Sequence, residues 1–307
     1  MSTEYLAPGC YGKLPFWPEY LEVQVVHPSS RELKRWIHEG RHAAGLGADS
    51  PDEIAPKEKR RMRFAFGAPG SPEMVAGVIR PSADIGNKRE FPFAVFAHFA
   101  RRAWGRHYAM LPMALEPTWD ALDDIWVSLA EVASQAAFRE ILQTARVPGP
   151  RDPSDVRGVY EGGLGRGAAW AAARGDGASV EALRANFAGL LKELKASPDN
   201  IRLELPVGAD LDDAAFDASF WIDLLNRQFL FRRFEPLVFL DGAPTHADRR
   251  AFLVFGPAKP EDYGWVMGLG AAAARVHRPA HAPGSAAPAA PGASPTYGEL
   301  AGTRFVA

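Results

Sequence analysis

Cysteine is almost missing from this sequence, with Cys10 the single one in 307 residues. No disulfide can close within the chain, so stability must come from a packed core, and the usage fits a reducing compartment. Long apolar runs are missing as well. The longest are Phe91–Ala100, interrupted by Pro92 and His98, and Trp265–Ala274. Both fall well short of the roughly 20 residues that cross a bilayer, so no membrane insertion is expected. The stretch from Met1 to Cys10 has neither a basic start nor an apolar segment. It predicts no signal peptide and a cytoplasmic location. An excess of one charge is lacking too: Lys plus Arg number 35 against 37 acids, a formal charge of −2 with His neutral. A dedicated nucleic-acid binder needs clustered cations to meet phosphates, so no nucleic-acid partner is expected.

What is present describes an ordinary globular chain, 47% hydrophobic and 23% charged, long enough for two domains. Pro28, followed by Ser29 and Glu32 at capping-box spacing, predicts a helix start, and Leu33, Trp36 and Ile37 form its apolar stripe. Met62–Phe66, Met74–Arg80 and Phe91–Phe99 read as strands separated by turn residues. The third is apolar at almost every position, which suits a strand covered on both faces. A long helix is predicted from Thr118, its N-cap, to about Arg146, and Pro148-Gly149-Pro150 ends it. Further on, a helix from Ser179, a strand at Ile201–Leu205, a helix at Asp213–Phe231 and strands at Leu237–Leu240 and Ala251–Phe255 are expected. This alternation favours a mixed α/β fold, with β-sheets flanked by helices, in two domains joined by a Gly-rich linker. The expected boundaries are an N-terminal domain over 1–147, a flexible linker over 148–178 and a smaller α/β domain over 179–277. A largely disordered tail over 278–307 follows, since Ala, Pro, Gly and Ser cannot bury enough apolar area to offset ordering.

Chemistry-bearing motifs are sparse. Gly162-Gly163-Leu164-Gly165-Arg166-Gly167 is glycine-rich but is not followed by Lys-Ser or Lys-Thr, so it reads as linker and not as a phosphate loop. No Gly-x-Ser-x-Gly elbow exists, and Cys10 has no neighbouring His in sequence, so it reads as a structural thiol. His38 and His42 would share one helix face, yet Gly40 and Arg41 between them fit a solvated helix better than a zinc site. Asp123 with Asp124, and Asp212 with Asp213, read as acids at helix starts, where they offset the dipole. The expectation is a non-enzymatic protein that needs no metal or cofactor. The competing reading is a small-molecule hydrolase centred on Cys10 or the His38/His42 pair.

Two short blocks are more specific. Gly12-Lys13-Leu14-Pro15, and Gly77-Val78-Ile79-Arg80-Pro81-Ser82-Ala83-Asp84 followed by Phe91-Pro92-Phe93, together resemble the TagF/ImpM family that accompanies bacterial type VI secretion systems. The resemblance is best over residues 9–145. It departs at Pro18-Glu19-Tyr20, where the family usually has Gly-Asp-Phe. It departs again in the spacing between Asp84 and Phe91, which puts Arg89 where the family's Gly-Arg register places the cation. The resemblance implies a cytoplasmic regulator that represses or times assembly of the secretion machine after translation. Such a regulator acts by binding type VI secretion components, notably a forkhead-associated-domain scaffold; the alternative is a structural component of the apparatus. Candidate partner-binding residues are Gly12, Lys13, Leu14, Pro15, Phe16, Trp17, Tyr20, Pro81, Ser82 and Asp84. Aromatics set among prolines suit a partner anchor, and they equally suit a seal on the edge of the core.

Overall fold

The computed structural model describes residues 4–46, 60–85, 90–166, 191–192, 196, 200–228, 235–242, 249–269, 276–277 and 296–298. The chain forms two compact units that alternate along the sequence. Met1–Ala103, Leu115–Pro150 and Pro257–Ala274 make the first, and Trp104–Ala114, Arg151–Gly256 and Arg275–Ala307 the second.

In the first unit lie β1 (Pro8–Gly12), β2 (Leu21–Val23), α1 (Pro28–Ala43), β3 (Met62–Phe66), β4 (Glu73–Arg80), β5 (Phe93–Ala100), α2 (Glu116–Ala130) and α3 (Gln135–Thr144). Its strands pair antiparallel in the order β3-β4-β5-β1-β2. Side chains alternate between the two faces of a strand, and here both faces are covered. Phe93, Val95, Ala97, Val78 and Cys10 face one way and pack with Leu122, Ile125 and Leu129 of α2. Phe96 and Phe66 point the other way, where Trp36 of α1 lies 5.9 Å from the Phe66 ring. A short helix, Pro260–Val266, packs on α1 through Tyr263, whose ring is 5.1 Å from Trp36, while the Trp36 indole N–H donates to Lys259 O at 3.0 Å. The apolar reading of Phe91–Phe99 therefore has its cause in this double cover.

Three local expectations are corrected in this unit. Ser29 does not cap α1. Its hydroxyl donates to Glu73 O at 2.6 Å and accepts from Ala68 N at 3.1 Å, and the helix starts on Pro28 behind His27. The expected single helix from Thr118 to Arg146 is two helices. Ser134 accepts from Ala137 N at 3.3 Å and so caps a fresh start at Gln135, while Thr118 instead donates to Pro148 O at 2.8 Å. Asp123 is not at a helix start: it sits within α2 and accepts from Arg63 Nη2 at 2.8 Å and from Arg80.

The second unit holds α4 (Pro153–Gly163), β6 (Arg202–Pro206), α5 (Leu211–Gln228), β7 (Leu237–Asp241), β8 (Arg250–Val254) and β9 (Val276–His277). β7, β8 and β6 pair antiparallel and β9 runs parallel to β6, so the sheet is mixed and the fold mixed α/β. Trp221 of α5 donates its indole N–H to Pro206 O at 2.9 Å, tying helix to strand end.

Part of the expected linker is helical. Asp152 accepts from Ser154 N at 2.8 Å as an N-cap, Pro153 opens the first turn, and Val156, Tyr160 and Gly163 form a buried stripe. Residues 167–178 of that linker and the start of the helix expected from Ser179 lie outside the described residues. Of the expected tail, only Thr296–Gly298 is described, and there Tyr297 is buried. Among the described residues no helix is long and apolar enough to cross a membrane.

Candidate functional site

The two sequence blocks meet. β1 lies between β5 and β2, so the residues that leave its end, Gly12 to Pro15, arrive beside the loop that leaves β4. Gly12 has φ +135°, and a Cβ there would stand 2.0 Å from Pro92 O. Only glycine allows this crossing so close to the backbone of the Phe91-Pro92-Phe93 segment. Lys13 is then carried inward: its Nζ lies 3.4 Å from Asp84 Oδ2, donates to Pro18 O at 3.4 Å and sits 4.9 Å from the centre of the Tyr20 ring. Both side chains of this pair are almost fully buried, at 4% and 3% exposure. An ion pair so sheltered costs several kcal/mol per ion in desolvation, and removing one partner of such a pair is strongly destabilising.

Around that pair is a nest of rings. Tyr20 stacks on Tyr11 at 5.9 Å and meets Phe91 edge-on at 4.8 Å, with the His38 ring 6.3 Å away. α1 adds cations to the same nest. Lys34 Nζ lies 5.5 Å from the Tyr11 ring and 2.5 Å from Glu22 Oε2. Arg41 lies 4.9 Å above Phe91 and donates to Glu90 O at 2.7 Å. Burial, with help from Tyr20 and Glu22, pushes the Tyr11 hydroxyl well above the usual tyrosine range, so it stays a neutral phenol.

The remaining sequence candidates divide. Leu14 is fully buried in the core, and the Trp17 N–H donates to Leu14 O at 3.1 Å to close a turn over residues 14–17. Phe16 and Trp17 are half-buried against the α2/α3 side of the core, with Phe16 5.7 Å from Phe138, so they seal that core edge. Tyr20 is different, at 38% exposed. Pro15, Pro18 and Glu19 are exposed near it in sequence, and His38 is exposed beside its ring. Pro81 and Ser82 are half-buried and structural: Ser82 O accepts from Phe91 N at 2.9 Å, closing the loop that presents Asp84. Arg80 of the same block faces α2, where it pairs with Asp123 and lies 4.8 Å from the Trp126 ring.

Cys10 is not an available nucleophile. It is fully buried, and burial pushes its thiol up to about 12, against a small opposing effect from a backbone hydrogen bond with Val23. His38 and His42 are both exposed on α1, and among the described residues no three His, Cys, Asp or Glu side chains gather as a metal-ligating group. Sequence reasoning missed Tyr11, Lys34, His38 and Arg41 as parts of the cluster. A signal was present: positions 34, 38 and 41 recur at helical spacing, and Tyr11 directly precedes the crossing glycine.

Comparison with known proteins bears on this region. The TagF N-terminal domain family, type VI secretion system-associated, matches residues 9–145. That span contains every residue of the ring-and-cation cluster. No curated protein matches the chain. Among solved structures, the crystal structure of PA0076 from Pseudomonas aeruginosa PAO1 at 2.05 Å resolution is similar, with 24% identity over 47% of this chain and a TM-score of 0.38. This chain spans 66% of that one, just under two thirds of its length.

Proposed function

We propose, from the premise that residues 9–145 of this chain belong to the TagF N-terminal domain family and so link the protein to type VI secretion, that it is a non-enzymatic regulator of that system. It represses or times assembly of the machine after translation, in the cytoplasm, by binding type VI components, among them a forkhead-associated-domain scaffold. One observation carries the binding surface: the two family blocks converge at Lys13 and Asp84 and hold Tyr20 half-exposed over them, next to exposed His38. A ring held at its back by Tyr11 and Phe91 loses little freedom when its outer face meets a partner, and such pre-organised tyrosines are common anchors of binding energy.

A strain lacking the protein tests this reading. Secretion should rise in its absence and fall on overproduction, with transcript levels of the secretion components unchanged. Unaltered secretion in both strains, together with recovery of the protein in fixed stoichiometry with assembled machine, overturns the regulator and leaves a structural component.

A further inference from the structure

Tyr297 follows a stretch of Ala, Pro, Gly and Ser, and its side chain is among the most deeply buried of the described residues. Its ring lies 4.8 Å from Phe216 and 5.0 Å from Phe220, both on α5. Its hydroxyl is hydrogen-bonded to Asp217 Oδ1, and Asp217 Oδ2 accepts from Gly208 N at 2.6 Å. The backbone is held as well: Tyr297 N donates to Arg166 O at 3.1 Å and Gly298 N to Leu164 O at 2.7 Å. Asp217 is itself fully buried, with the Tyr297 hydroxyl against its carboxylate. We propose that Tyr297 and Asp217 form a proton-dependent latch that holds Thr296–Gly298 on the second unit.

The charge around the latch sets its sense. Asp213, one turn earlier on α5, faces Asp217 and pairs with Arg166 at 3.7 Å, and Arg166 also covers the Phe216 ring at 4.4 Å. Behind Tyr297, Tyr160 of α4 donates to Asp223 Oδ2 at 2.8 Å, and Asp223 also holds Arg227. Two donors, Tyr297 and Gly208, favour an ionised Asp217, as does Arg166, while Asp213 opposes it. Burial outweighs them all and raises the carboxyl to about 7. With the latch shut, ionisation is therefore penalised. When Tyr297 withdraws, water reaches the carboxyl and the penalty is relieved. The open form then binds fewer protons than the shut form, so opening is favoured as pH rises toward 7 and gains nothing more above it.

Hydrogen exchange of the full-length chain, corrected for the intrinsic rate at each pH, tests this on the amides of Tyr297 and Gly298. Between pH 5 and 7 their opening constant should rise by up to about tenfold per pH unit, then level off. In Asp217→Asn, which keeps the shape and removes the charge, protection should be independent of pH. In Tyr297→Ala it should be absent throughout, with near-UV circular dichroism confirming that the body stays folded. A wild-type profile flat across this range overturns the latch. So does an Asp217→Asn profile with the wild-type slope, or the same slope at Leu253 in β8, which would mark global opening.

Discussion

At the scale of single residues, the junction of the two sequence blocks rests on Lys13 and Asp84. The ammonium is buried, so removing only its counter-ion leaves an unneutralised charge inside the fold, with Pro18 O and the Tyr20 ring as its remaining contacts. Asp84→Ala should cost about 3–5 kcal/mol in urea unfolding, and adding Lys13→Met should recover most of that loss. A single substitution costing under about 1 kcal/mol would show that the pair does not hold the segments. His98 gives a second residue-level test. Burial and the His27 ring 4.7 Å away lower its imidazole to about 4, below the ordinary value of 6.5. Its Nε2 has no hydrogen-bond partner. The folded state therefore prefers neutral His98, and the resulting stability is present above pH 6.5 and lost as pH falls toward 4. The melting temperature of the wild type should fall relative to that of His98→Gln as pH falls through that window. A difference between them that stays constant would contradict it.

At the scale of elements, α1 and the helix Pro260–Val266 fit together through Gly40. A Cβ at residue 40 would lie 2.2 Å from Tyr263 Cβ and 3.0 Å from Pro260 O. Gly40→Ala would gain about 1 kcal/mol of helix propensity in isolation. Here it should instead destabilise by about 1–3 kcal/mol, because two backbones must separate to admit the methyl group. Stabilisation in a denaturant titration would contradict that packing. The same residue shows what a sequence can and cannot say. Read alone, Gly40 weakens a helix; its cause lies in a partner more than 200 positions away. The strands Met62–Phe66, Glu73–Arg80 and Phe93–Ala100 were legible because each is a short apolar run bounded by turn residues, the pattern of a strand covered on both faces. The break at Ser134 and the helix Pro153–Gly163 were not. A single hydroxyl accepting one N–H decides the first, and a short buried stripe hidden in glycine-rich sequence decides the second.

At the scale of the whole molecule, the two blocks quoted from the sequence were the legible part of the site, and the family match covers them both. That they meet through Lys13 and Asp84, 71 positions apart, needed the fold. The fold also sorts the aromatics: Phe16 and Trp17 belong to the core edge and Tyr20 to the surface. A regulator that works by occupying a partner follows mass action, so its effect must scale with its amount and with its affinity. Truncating a central aromatic anchor typically costs 2 kcal/mol or more, roughly a thirtyfold weaker complex. The most direct measurement is a titration of secretion against protein level in a strain lacking the chromosomal copy, with wild type or Tyr20→Ala supplied from an inducible promoter. Secretion should fall with increasing wild-type protein. The Tyr20→Ala protein, folded by circular dichroism, should need at least about ten times more for the same repression. Overlapping curves for the two proteins, or secretion indifferent to dose, would contradict a regulator that binds through Tyr20.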